Sequence, residues 1–119
     1  MTSDILSKYD PSTAELGRQL IAFLLSQLPG SFELPDESSG IIAITYGKGY
    51  KDIICMVLPS KQGIKLGFNR GSELPDPEHL LTGKGKLHKY VVIKSASDFE
   101  KPGILNLIHE GLKAYEKRK

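Results

Sequence analysis

The chain has 119 residues, of which 39% are hydrophobic, 25% charged and 8% aromatic; that is ordinary composition for one folded domain and leaves no room for a second full one. Sixteen basic against fourteen acidic side chains give a formal charge of +2, too small to drive binding to nucleic acid or a membrane by bulk charge, so any electrostatic function must be local. Residues 1–9 precede the first clear structural signal and are expected to be flexible. Asp10-Pro11 then starts a helix, because the carboxylate can accept from unpaired N–H groups and a proline at the first helical position loses no hydrogen bond. Leu16, Leu20, Phe23, Leu24 and Leu28 recur at helical spacing, so this helix lays an apolar stripe on a core, and Pro29-Gly30 stops it.

From Ser31 to Lys94 the period changes to short β-branched and aromatic runs separated by Gly, Pro, Asp and Ser. Five strands are predicted, at 31–35, 40–46, 52–59, 63–69 and 88–94, and the short turns between the first four force antiparallel neighbours. A final helix opens near Ser97 or Asp98 with Pro102 in its first turn and carries Ile104, Leu105, Ile108, Leu112 and Tyr115 on one side. Its basic end, Lys113 and Lys117-Arg118-Lys119, reads as cations at the negative pole of the helix dipole. The expected architecture is a single α+β domain over residues 1–119: a two-layer sandwich of helix, five-stranded mainly antiparallel sheet and helix, with a long ordered loop before the last strand.

In Ile41–Ile44 and Ile53–Leu58 both alternating positions are apolar, whereas a strand with one wet face should alternate apolar with polar. Something is expected to cover the second sheet face: the chain's own loop, a second copy of the chain, or a ligand. Cys55 lies in the second run and reads as a small buried hydrophobe with a raised pKa, since a lone cysteine has no intramolecular disulfide partner. No stretch approaches the length of a membrane span, and the first residues lack a basic and apolar leader. The expected setting is the cytoplasm, with no membrane and no nucleic-acid partner.

The connection from Arg70 to Leu87 is far longer than a hairpin needs, which places it among loops that are functional or packed on themselves. Asp76 reads as an N-cap, Pro77 as a first helical residue and Gly83 as a left-handed stop, predicting a single helical turn over 78–82 that buries Leu80 and Leu81. After it, Gly83-Lys84-Gly85-Lys86-Leu87-His88-Lys89 gathers glycines, lysines and a histidine with no acid. Glycine lets consecutive N–H groups converge on an anion, and cations beside them would add charge. Arg70, Lys84, Lys86 and His88 are therefore the candidate anion-binding residues; the alternative is a solvated turn whose lysines keep a sheet edge from aggregating.

Other chemistries lack their residues. His109-Glu110 is followed at the fifth position by Lys113, so the second zinc ligand of H-E-x-x-H is missing. His79, His88 and His109 are far apart in sequence without ligand-spaced cysteines, and there is no G-x-S-x-G elbow. No catalytic residue, metal ligand or cofactor is expected. Phe68 and Tyr90, the only plausible stacking pair for RNA, read as core.

The stretch Leu66-Gly67-Phe68-Asn69-Arg70-Gly71-Ser72-Glu73-Leu74-Pro75-Asp76-Pro77, with Leu80-Leu81-Thr82-Gly83-Lys84-Gly85-Lys86 after it, resembles the YdhG-like family, a domain family of unknown function, and the similarity extends over roughly residues 10 to 116. Its most specific part is the loop shaped by Gly67, Phe68, Gly71, Leu74, Asp76 and Pro77, with Gly83 and Gly85 beyond. The resemblance implies a frataxin-like α+β sandwich and, as one activity described in that family, intracellular iron delivery. Iron would want several carboxylates together; the first helix offers Asp10 and Glu15, while Glu33, Asp36, Glu37 and Asp52 read as turn and edge residues. The leading expectation is a non-catalytic binding module, dimeric, for a small anion or acidic partner group. The alternatives are an iron-binding protein and a purely protein-interaction domain.

Overall fold

The structure is a computed structural model and describes residues 3–119. Asp10 caps as its position predicts: its carboxylate accepts the Thr13 N–H at 2.9 Å and the Ser12 hydroxyl at 2.8 Å. Helix α2 then runs Pro11–Gln27. Ahead of it, residues 3–9 are not the loose lead-in expected from sequence. Ser3–Leu6 form a short helix, α1, and Ile5 and Leu6 are fully buried. Room for them comes from Gly17 on α2, where a Cβ would lie 2.8 Å from Leu6 Cδ2. Met1 and Thr2, the rest of that expected lead-in, lie outside the described residues.

Five strands follow: β1 Phe32–Asp36, β2 Ile41–Thr45, β3 Ile53–Ser60, β4 Gly63–Phe68 and β5 Lys89–Ile93. They pair in chain order, every pair antiparallel, so the sheet is a simple meander even across the long connection before β5. Each predicted span holds to within a residue at either end. The β1–β2 turn shows why: the Asp36 carboxylate accepts the Ser38 and Ser39 hydroxyls at 2.8 and 3.0 Å, which holds it below the usual carboxylate range, and Gly40 supplies the positive φ that closes the turn.

The final helix is two. Helix α3 spans Ala96–Phe99 and α4 spans Pro102–Arg118. Pro102 causes the break, because a proline's ring disfavours helical geometry in the residue before it, and Lys101 is accordingly extended. At the α3 start the Asp98 carboxylate accepts the Lys94 and Ser95 N–H groups at 2.8 and 3.2 Å. Those hydrogen bonds, that of Lys94 first, hold its carboxyl below the usual range. A depressed folded pKa stabilises the fold fully above the unfolded value of about 3.9 and stops doing so as pH falls through the lower folded one. Asp98→Asn should therefore flatten the fall in melting temperature below about pH 4; parallel melting curves for the two proteins across that range would contradict this.

Helix α2 crosses β1 to β4 and α4 lies on β3, forming one layer on the inner sheet face. Ile42, Ile44, Cys55, Val57, Ile64, Leu66, Phe68 and Ile93 are buried beneath it with Leu20, Leu24, Leu107 and Ile108. Burial pushes the Cys55 thiol far up, as expected of an inert core residue.

Part of the double apolarity of β3 is a bulge. Pairing runs Ile44 with Cys55 and then Thr45 with Ile53, so one residue is extra and Ile54 turns inward beside Cys55, against Gly111 of α4. Among the described residues the outer face carries no second layer. Met56 and Leu58 close over Gly67, and the Lys65 ammonium sits 4.5 Å from the centre of the Tyr90 ring. Over β1 to β3 a shallow groove of about 410 Å³ remains between Leu34, Ile41, Ala43, Ile53 and Met56, and no residue of the Arg70–Leu87 loop lines it. That face is half-buried, neither covered nor bare. Among the described residues no helix is long and apolar enough to cross a membrane.

Candidate anion-binding cleft

The β2–β3 connection builds the first wall. Thr45 Oγ1 donates to the Gly47 carbonyl at 2.7 Å, and a single 3-10 turn at Tyr50–Asp52 follows, closed by the Asp52 N–H on the Gly49 carbonyl at 3.0 Å. The Asp52 carboxylate lies directly against Gly47, in space that any Cβ there would occupy. The Tyr115 hydroxyl donates to it at 3.1 Å, and the Tyr115 ring stacks on Tyr46 with centroids 5.4 Å apart and planes within 9°. Burial first, then the hydrogen bond to Asp52, pushes the Tyr115 phenol up.

The end of β4 supplies the second wall. Asn69 is 5% exposed; its amide nitrogen donates to the Tyr50 and Ile53 carbonyls at 3.2 and 3.0 Å, while its Oδ1 has no hydrogen-bond partner among the described residues. Arg70 takes a left-handed conformation with φ 57°. Its N–H donates to His88 Nδ1 at 3.1 Å, which leaves Nε2 to face the Tyr50 hydroxyl with which it hydrogen-bonds. The Arg70 guanidinium grips Glu73 with both prongs, at 2.9 and 2.7 Å. That ion pair raises the Arg70 pKa and lowers the Glu73 one.

The last turn of α4 closes the third side. The resulting cleft of about 460 Å³ is lined by Tyr50, Lys51 and Asp52 from the first wall, Asn69 and Arg70 from the second, and Tyr115, Arg118 and Lys119 from the third. Arg70 is paired with Glu73, but Lys51, Arg118 and Lys119 form no ion pair with any other described residue. Lys119 lies 5.8 Å above the Tyr115 ring. Asp52, the one acid in the lining among the described residues, is already engaged by Tyr115. The cleft is a concave, partly aromatic surface with an excess of cations.

Of the residues predicted from sequence, Arg70 lines this cleft, and His88, which does not line it, stands behind it bonded to the Arg70 N–H and the Tyr50 hydroxyl. The structure does not bring Lys84 and Lys86 there: both are exposed and line no part of it. The loop between them and Arg70 is ordered by other means. Gly71 starts it close against β5, where a Cβ would lie 2.9 Å from Lys89 Cβ, and Leu74 is buried. Asp76 caps, but the helical turn over 78–82 does not form. The His79 N–H closes a tight turn on the Asp76 carbonyl at 3.1 Å, His79 goes left-handed at φ 54°, and the Asp76 carboxylate takes the Leu80 and Leu81 N–H groups at 2.9 Å each. Pro77 is exposed in that turn. Thr82 then pairs with Tyr90 as a one-residue bridge on the β5 edge. Gly83 has φ 125° and packs on the Tyr90 ring, its carbonyl accepting from Lys89 Nζ at 2.9 Å, and Gly85 lies against the His88 carbonyl. Gly67 and Phe68 serve packing, the second at zero exposure.

The remaining acids do different jobs. Asp10 and Asp36 cap turns, Glu37 pairs with Lys8 at 3.7 Å, and Glu33 is half-buried on β1. Among the described residues no three His, Cys, Asp or Glu side chains gather in a metal-holding group. Sequence reasoning missed Tyr50, Lys51, Asn69, Tyr115, Arg118 and Lys119. The available signal was Gly47-Lys48-Gly49-Tyr50-Lys51, basic residues interleaved with aromatic ones and glycine, which reads as an ordinary turn until the α4 end is known to face it. Comparison with known proteins gives no match: no family model, no curated protein and no solved structure is significantly similar to the chain.

Proposed function

We propose that this chain is a non-catalytic binding module that holds a small phosphate-type anion in the cleft between the β2–β3 connection, the end of β4 and the last turn of α4. The observation that supports it is the convergence of Lys51, Arg118 and Lys119 on one concavity, none of them in an ion pair with another described residue. Cations held together repel one another, and an anion between them removes that repulsion while accepting charge-assisted hydrogen bonds. Arg70 contributes through a fixed backbone and a guanidinium already oriented by Glu73. Asp52 orders Tyr115 and so shapes the floor.

Calorimetric titration with inorganic phosphate at low ionic strength tests the reading. Saturable binding that weakens as salt rises is expected, because exposed charges are screened over about 10 Å at 0.1 M; the absence of saturable heat would overturn it. The Gly-Lys loop gives a second check. Lys84→Ala combined with Lys86→Ala should leave phosphate affinity within about twofold, since neither side chain reaches the cleft, whereas loss of binding in that double variant would move the site to the loop.

A further inference from the structure

The cleft has two features that a site for a bare anion does not need. Tyr50 at its mouth is 62% exposed, the most exposed large apolar side chain among the described residues. Its ring is nevertheless held in place: the hydroxyl hydrogen-bonds His88 Nε2, and the ring meets the His88 ring edge-on with centroids 5.6 Å apart. An exposed aromatic is ordinarily free to turn, so this one presents a fixed face. Tyr115 is held just as firmly by its stack on Tyr46 and its bond to Asp52. The cleft volume of about 460 Å³ falls in the range of small-molecule sites and far exceeds the space of one phosphate group.

Building on the anion-binding reading, we propose that the natural ligand is a phosphate monoester of a planar aromatic group, a nucleobase-bearing or aryl phosphate, with its ring against Tyr50 and its dianion among Lys51, Arg118 and Lys119. Three cations outside any ion pair, against the single acid Asp52 in the lining among the described residues, match a doubly charged phosphate better than a singly charged carboxylate. A ring stacks on the exposed face of Tyr50, while the buried Tyr115 forms part of the floor beneath it.

The test compares affinities for phenyl phosphate, inorganic phosphate and benzoate, measured calorimetrically on the full chain and on two variants. Stacking on an aromatic side chain is worth enough to tighten binding about tenfold, so phenyl phosphate should bind about ten times more tightly than inorganic phosphate, with benzoate weaker than phenyl phosphate. Tyr50→Ala should bring the ratio of phenyl phosphate to inorganic phosphate affinity close to one, and Tyr50→Phe, which keeps the ring, should preserve most of it. Equal affinities for phenyl and inorganic phosphate, a ratio unchanged in Tyr50→Ala, or benzoate binding as tightly as phenyl phosphate would each overturn this inference while leaving the anion site standing. Failure of all three compounds to bind would overturn both.

Discussion

Arg118→Glu is expected to lower the affinity for inorganic phosphate by about 100-fold. A hydrogen bond to a charged group contributes roughly 1.5–3 kcal/mol, about ten- to a hundredfold in binding, and the reversed charge adds repulsion at the same place. Lys117→Glu is the matched control, because it sits on the same exposed terminus and carries the same change but does not line the cleft. Both substitutions oppose the helix dipole, so each should cost about 0.3–1 kcal/mol of stability. Only the first should abolish tight binding; equal losses of affinity in the two would show that the effect is general charge rather than the site.

The largest effect on stability is expected at Phe68. Its ring is fully buried on the inner sheet face, paired in register with Cys55, and it immediately precedes the two residues that form the second wall of the cleft. Phe68→Ala removes a buried ring and leaves a cavity, at a cost of about 3–5 kcal/mol. At roughly 4 °C per kcal/mol for a domain of this size, the melting midpoint should fall by about 12–20 °C. A fall equivalent to under about 1 kcal/mol in urea unfolding would mean that the β4 end is not packed as described.

What was legible in the sequence was local. Pro11 at the first helical position, Gly30 after the last turn of α2 and Asp36 in the β1–β2 turn each act within a few residues, so the elements they bound fall where the pattern places them. Where two local signals competed, the reading went wrong. Asp76 carries both a helix-cap signal and the ability to gather nearby N–H groups into a turn; its carboxylate holds Leu80 and Leu81, and the chain turns left-handed at His79 instead of continuing to Gly83. Ile5 and Leu6 showed no period because a four-residue helix has none, and their burial depends on Gly17, eleven positions or more along the chain. The bulge at Ile54 accounts for part of the double apolarity of β3, by placing consecutive residues inward; Met56 and Leu58 supply the rest on the outer face.

The cleft was the least legible feature because it is assembled from three segments that no spacing connects, 50–52, 69–70 and 115–119. Each has an adequate local explanation: a glycine turn, a loop start and a dipole-stabilised helix end. Arg70 was found for a partly different reason, as the far end of the Gly-Lys loop, and its actual companions are His88 and Glu73. Lys84 and Lys86 carry the more conspicuous motif and lie away from the cations that converge.

The most direct test is an amide-resolved nuclear magnetic resonance titration of the chain with inorganic phosphate. Saturable shifts concentrated at residues 50–52, 69–70 and 115–119, with residues 84–86 nearly still, are predicted. Shifts centred on the 83–86 loop, or none that saturate, would contradict the placement of the anion site.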